Sequence, residues 1–475
     1  MMWGMRSGTG PSGGHGTAIA KTRSLNETAA QLSTKVVRAP LGQANGDGGR
    51  GGRGHVLWIM AGILLIAAFP RLWQLMAAGF RGDEAVYAGQ AGILAGDDEL
   101  SRYFVLTSRG NSNFLLYQEL VGVVYFFFGV SDVAARLVSV AFSLAAVVVT
   151  FEWARTLYDR RVAYAAALGV AFSGYSVMLG RIALLDSTLT FLFTLSLLAF
   201  TKWVKTGSRG WFLGFAAAVS LTMQAKVTGV LVLIIAGLYL VVSRQLSKLN
   251  LRDFLLGALV FTVFMTPVFV QAIVNSDQFF QFLQDSSQRV TRASWHYYLD
   301  KLGQFNGYPI MFVWAFGIAV AIKARREADR LLLVCVGVIG VFFQMYPLKA
   351  FNYLLPAIPV LSILGARGLC ALAIRLYPPT SDRHLRNGRL RLLTPRFAPV
   401  AAALTLFALS VGPAVDASRS DSYFGLREAA KWLERNTPEN AGVMTLSKGS
   451  AQYALSFYSR RDAYPFGRFR IATVF

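Results

Sequence analysis

Apolar residues run along this chain in long blocks broken by short polar stretches. The blocks cover residues 55–76, 114–130, 135–153, 163–179, 187–203, 211–223, 228–242, 254–274, 310–321, 331–345, 351–373 and 397–411. The first is long enough to cross a bilayer, which takes about 20 residues. Several others are shorter, and their ends extend into flanking polar residues. The pattern predicts an all-α polytopic membrane protein.

Basic residues between the blocks fix the orientation, because cytoplasmic loops collect Lys and Arg. Six groups stand out: the N-terminal tail; Arg155, Arg160 and Arg161; Lys202, Lys205 and Arg209; Arg244, Lys248 and Arg252; Lys323, Arg325, Arg326 and Arg330; and the tract 375–396. If 114–130 crosses the membrane, Arg155–Arg161 and the next basic loops fall outside, against the rule. If 114–130 lies in the interface or re-enters, all six groups fall inside. The second arrangement is preferred and gives about 11 crossings.

That choice gathers the polar outliers on the outer face: Asp83, Glu84, residues 102–113, Arg181, Asp186, Lys226, the loop 276–305 and residues 349–353. Residues 84–95 suit a short helix lying along the surface. Beyond the last block, 422–475 reads as water-soluble, with an amphipathic helix over 426–435, a turn over 436–440 and a strand over 442–446. About fifty residues is small for an independent domain, so this outer part is either minimal or truncated. Residues 1–54, rich in Gly, Ser and basic residues, bury too little apolar surface to fold and form a disordered cytoplasmic tail. The expected organisation is therefore a tail over 1–54, a transmembrane domain over 55–416 and an outer segment over 417–475.

Composition agrees. The chain is 54% hydrophobic and 15% charged, against about 25% charged residues in soluble chains. The net charge of +22 does not indicate nucleic-acid binding, because the cations sit in short loops and form no stripe. Cys335 and Cys370 lie inside apolar blocks as packing residues, with no disulfide framework or metal spacing. His15, His55, His296 and His384 are scattered, and His296 belongs to an interfacial aromatic cluster, Trp295-His-Tyr-Tyr298.

Asp83 and Glu84 are the candidate chemistry, adjacent in Phe80-Arg-Gly-Asp-Glu-Ala-Val-Tyr87. Carboxylates where a span emerges are costly beside hydrocarbon and point to function. The plainer reading is that they cap the surface helix, worth about 0.3–1 kcal/mol each. Asp186, ahead of Ser187-Thr188, can be an N-cap, Arg181 can snorkel, and Arg136 can anchor its helix end. Lys226 has apolar runs on both sides and few innocent partners. Asp83, Glu84 and Asp186 together can hold a divalent cation. The chain supplies few further ligands for one.

Five segments, in order, resemble the GT-C membrane glycosyltransferases of the protein O-mannosyltransferase and aminoarabinose-transferase type. They are Pro70–Ala88, Asp132-Val-Ala-Ala-Arg-Leu137, Arg181-Ile-Ala-Leu-Leu-Asp186, Gln224-Ala-Lys-Val-Thr-Gly229 and Lys349-Ala-Phe-Asn-Tyr-Leu-Leu-Pro356. The likeness spans about 55–373. Val86 stands where the aminoarabinose transferases carry Arg, and Ser112-Asn-Phe114 where they carry Lys-Pro-Pro, so no particular sugar is implied.

The resemblance implies inverting transfer of a sugar from a polyprenyl-phosphate donor to a hydroxyl of a protein, glycan or lipid. The active site would lie on the extracytoplasmic face of the plasma membrane. Asp83 would be the general base, with Glu84 and Asp186 as further catalytic carboxylates. Arg109 (in place of the missing Lys), Arg136, Arg181, Lys226 and Lys349 would hold the donor phosphate, and Tyr87, Asn352 and Tyr353 the substrate. One carboxylate suffices, because phosphate leaves without a proton. The resemblance does not require a metal. The competing class is a transporter or flippase, whose polytopic helices also hide charges. Such proteins often show two matching halves, and no such symmetry is visible here.

Overall fold

A computed structural model describes residues 50–106, 115–277, 280–281, 284, 290–291, 293–376, 411–412, 415, 425–446 and 450–465. The chain divides into two units, 1–46 and 47–475, and every described residue belongs to the second.

The helices follow the apolar blocks. In order they are α1 (Arg50–Leu72), α2 (Gly82–Leu94), α3 (Leu116–Phe128), α4 (Asp132–Leu157), α5 (Arg160–Phe172), α6 (Gly174–Gly180), α7 (Asp186–Thr206), α8 (Arg209–Ala225), α9 (Leu231–Val242), α10 (Leu251–Val274), α11 (Tyr297–Asn306), α12 (Tyr308–Ala324), α13 (Glu327–Met345) and α14 (Ala357–Leu376). The C-terminal segment holds α15 (Leu426–Asn436), β1 (Gly442–Thr445), α16 (Ala451–Ser459) and β2 (Asp462–Pro465).

Among the described residues six helices are long and apolar enough to cross a membrane: α1, α4, α7, α10, α13 and α14. Two bent pairs raise this to eight, α5 with α6 at 56° and α11 with α12 at 115°. The remaining expected crossings correspond to shorter elements, α8 and the stretch Val227–Val242, and to 397–411, which lies outside the described residues but for its last position. Residues 1–49, and most of the tract 375–396, also lie outside them.

The doubtful block 114–130 forms only the 13 residues of α3. At about 1.5 Å per residue that is roughly 20 Å, short of a bilayer core of about 30 Å. Tyr117, Gln118, Val121 and Tyr125 are buried on one face, while Val123 and Phe126–Phe128 are exposed. This amphipathic split suits an interfacial helix.

The basic loops meet at one end of the bundle. Glu152 pairs with Arg155 and Lys202, Arg209 with Asp253, Lys248 reaches the Val204 carbonyl, and Gln245 reaches Glu327. The loop expected over 276–305 ends instead in helix α11, which buries Tyr298, Leu302 and Phe305 on one stripe. Asn306 then ties the two bends together. Its Oδ1 accepts from Ser173 Oγ at 2.7 Å and from Tyr175 N at 3.3 Å.

Among the described residues the C-terminal segment shares its core with the start of the chain's first surface helix. Ala430, Ala454, Leu455, Phe457 and Tyr458 share one cluster with Phe80, Ala85, Ala88, Tyr117 and Val121. β1 and β2 pair in parallel, Val443 opposite Ala463 and Thr445 opposite Pro465. Packing on α2 explains how so short a segment holds together.

Candidate active site

Asp83 and Tyr87 sit one turn apart on α2 and therefore share a face; Asp83 is exposed there and Tyr87 partly buried. Glu84, the next residue, points the other way and is 1% exposed. Its Oε1 accepts from Arg136 Nε at 3.0 Å and from Ala183 N at 2.8 Å. Its Oε2 accepts from Arg81 N at 3.0 Å and from Arg136 Nη2 at 3.4 Å. Glu84 thus ties the start of α2 to α4 and to the segment that leads into α7.

That segment presents Asp186. Glu84 takes its Ala183 amide, and Ser139 Oγ donates to the Leu184 carbonyl at 3.2 Å. Asp186 opens α7, is 1% exposed, and has both oxygens engaged. Lys226 Nζ stands 2.8 Å from Oδ1, and Asn352 Nδ2 donates to Oδ2 at 2.7 Å. Lys226 reaches this position from a break: it has extended backbone between α8 and a 3-10 turn over Val227–Val230. The turn needs Gly229, since a Cβ there would lie 2.7 Å from the Thr222 carbonyl. Lys226 also lies over the Tyr353 ring, 4.7 Å from its centre, a favourable cation–π contact.

The charge of Asp83 reaches the tyrosines beside Asp186. Burial raises the Tyr87 phenol well above its ordinary range, with Asp83 and then Asp186 adding to the effect. Burial likewise raises Tyr353, with Tyr346, Asp186, Tyr298 and Asp83 contributing in that order. Two carboxylates from different helices thus act on the same two tyrosines.

An apolar groove of about 640 Å³ runs between α9 and α13, lined by Leu231, Leu238, Gly337, Val341, Phe342 and Tyr346 among others. At its polar end Tyr346 lies 6.1 Å from the Tyr353 ring. Two aromatic rings, Tyr346 and Tyr353, thus separate this end of the groove from Lys226.

The remaining predicted cations are engaged on backbone carbonyls. Arg136 donates to Leu75, Ala78 and Gly79 besides Glu84. Arg181 caps the end of α1 through the carbonyls of Pro70, Trp73 and Gln74. Lys349 caps α13 through Phe343 O at 2.7 Å and Gln344 O at 2.6 Å, where a cation complements the helix dipole. Arg109 lies outside the described residues.

Sequence reasoning missed Arg71, which is fully buried and bonded to Ser143, Ser176 and the carbonyls of Ala67 and Ala171. A charge inside the first apolar block was its only signal. Among the described residues no three His, Cys, Asp or Glu side chains gather as a metal site. Of the three carboxylates considered for a metal, Asp186 is held by Lys226 and Asn352 and Glu84 by Arg136.

Residues 115–270 match the family model described as dolichyl-phosphate-mannose-protein mannosyltransferase. No curated protein matches the chain in sequence. Among solved structures, ArnT from Cupriavidus metallidurans bound to undecaprenyl phosphate is 18% identical with a TM-score of 0.66, covering 87% of this chain and 86% of that one. The archaeal oligosaccharyltransferase AglB from Archaeoglobus fulgidus, in complex with an inhibitory peptide and a dolichol-phosphate, is 14% identical with a TM-score of 0.60, covering 86% of this chain and 64% of that one.

Proposed function

We propose that this multi-pass chain, whose fold is that of the GT-C glycosyltransferases, transfers a sugar from a polyprenyl-phosphate donor to an acceptor hydroxyl at the extracytoplasmic face of the plasma membrane. One observation carries the reading: Lys226 stands at a helix break against Asp186 and over Tyr353, whose neighbour Tyr346 lines the apolar groove. A polyprenyl tail suits an apolar channel, and its phosphate would meet the Lys226 ammonium beyond the channel's end. The relatives' lipid phosphates, undecaprenyl phosphate for ArnT and dolichol-phosphate for AglB, support a donor of this chemical class.

In this reading Asp83 takes the acceptor's proton as the acceptor oxygen bonds to the anomeric carbon. The bond from that carbon to the phosphate oxygen breaks, and polyprenyl phosphate leaves with the electron pair. One displacement inverts the configuration. The base contributes about 10²–10⁴-fold, and Lys226 stabilises the charge that grows on the phosphate. Asp186 holds Lys226 in place, Asn352 orients Asp186, and Tyr87 and Tyr353 wall the sugar. Glu84 and Arg136 set the geometry from behind, and no divalent cation is needed. The acceptor is a hydroxyl of an exported protein, a glycan or a lipid.

The test incubates membranes holding the chain with a panel of radiolabelled polyprenyl-phosphate sugars, mannose included. Label should move from the carrier into a protein, glycan or lipid fraction. Failure of every donor to lose label, with the chain inserted and folded, would contradict the reading.

A further inference from the structure

The turn that delivers Asp83 is held from two sides. From within the bundle, Arg136 takes the carbonyls of Leu75, Ala78 and Gly79. From outside, the C-terminal segment takes the groups that Arg136 leaves. Arg427 Nη1 donates to Met76 O at 3.1 Å. The Tyr458 hydroxyl accepts from Phe80 N at 2.7 Å and donates to Asp132 Oδ2 at 2.6 Å. Arg427 Nη1 lies 3.6 Å from that same Asp132 oxygen. The segment also closes on the residue next to Asp83, since a Cβ at Gly82 would fall 1.8 Å from Ser450 Oγ.

A phenylalanine at 458 would fill the space equally well. The Tyr458 ring stacks on Phe80 at 5.9 Å, and Phe457 meets Phe80 edge-on at 5.1 Å. What the hydroxyl adds is a joint between the Phe80 amide, three residues before Asp83, and Asp132 at the start of α4. Burial, reinforced by Asp132, raises the phenol's pKa, so it stays protonated and keeps donating.

We propose that the outer C-terminal segment is a working part of the site, with Tyr458 as a positioning residue that sets the Phe80–Gly82 turn and so aims the Asp83 carboxylate, and Arg427 as its second fastening. The proposal rests on the reading of Asp83 as the base and adds to it a segment more than 300 residues away in sequence, a separation of 378 for the Tyr458–Phe80 bond.

The experiment compares the full chain in detergent with Tyr458→Phe and Arg427→Gln. Amide hydrogen exchange reads the turn directly. In Tyr458→Phe, exchange over 76–84 should quicken about fivefold, as loss of one buried hydrogen bond allows, while 426–436 and 451–459 keep their protection. Turnover with the labelled donor that the parent uses should lose about tenfold to a hundredfold in kcat, with donor KM within about twofold. Arg427→Gln should show the same pattern more weakly, and it decides the matter if Tyr458→Phe does not accumulate. Unchanged exchange over 76–84 would show that Tyr458 does not hold the turn. Quickened exchange with an unchanged kcat would show that the turn does not aim Asp83. A parent inactive with every donor would count against the transferase reading itself, and the exchange data would still decide the clamp.

Discussion

Glu84→Gln separates a clasp from a catalyst. Each Glu84 oxygen accepts from an Arg136 nitrogen and from a backbone amide, Ala183 on one side and Arg81 on the other. Gln has one oxygen and one NH₂, so either orientation turns a donor against donors. The Arg136 guanidinium, 3% exposed, also loses its counter-charge. Removing one partner of a buried ion pair costs about 3–5 kcal/mol. That is a large part of the roughly 5–15 kcal/mol that holds a domain folded.

The assay is equilibrium unfolding of the solubilised chain in mixed detergent, read by tryptophan fluorescence, beside transfer activity per folded molecule. Glu84→Gln should lose about 3–5 kcal/mol of stability. The double variant Glu84→Gln/Arg136→Gln should fall short of the summed losses by about 1–3 kcal/mol, as for residues in one network. A Glu84→Gln variant as stable as the parent yet without activity would refute the clasp and make Glu84 a catalytic carboxylate.

Other expectations follow from the same geometry. Lys226→Ala should weaken competition by free undecaprenyl phosphate about tenfold or more, given the weight of charge-assisted contacts; unchanged competition would remove Lys226 from the phosphate site. Transfer should continue in EDTA, and loss of activity restored by Mn²⁺ or Mg²⁺ would overturn the metal-free reading. Gly337 lines the groove and has open space where a Cβ would stand. Gly337→Phe should therefore raise KM for a long-chain donor and leave a short-chain donor alone, and equal effects on both would move the tail elsewhere. Cysteines at Arg155 and Trp295 should be labelled from opposite sides of the membrane, and labelling from one side would break the orientation.

The bundle was legible because bilayer thickness and loop charge act on sequence directly. Those two rules alone kept 114–130 from being counted as a span, and α3, with one buried and one exposed face, suits the interface. The pocket was legible where a polar residue interrupts apolar sequence, as at Asp186, Lys226 and Asn352. The contacts of the cations were not. Arg181 and Lys349 cap helix carbonyls, and a cation at the membrane edge looks the same in sequence whether it meets a phosphate or a helix end. Helix α11 was hidden because its aromatic stripe also fits an interfacial loop. Tyr458 and Arg427 gave no signal, since what they hold is backbone several hundred residues away.

The most direct measurement is sugar transfer by Asp83→Asn, made in membranes where the variant inserts and still binds undecaprenyl phosphate. The side chain is exposed on α2, so the change should leave the fold intact while transfer falls by about 10²–10⁴-fold. Transfer at the parent's rate would mean that the acceptor's proton goes elsewhere, and the mechanism built on this carboxylate would fail.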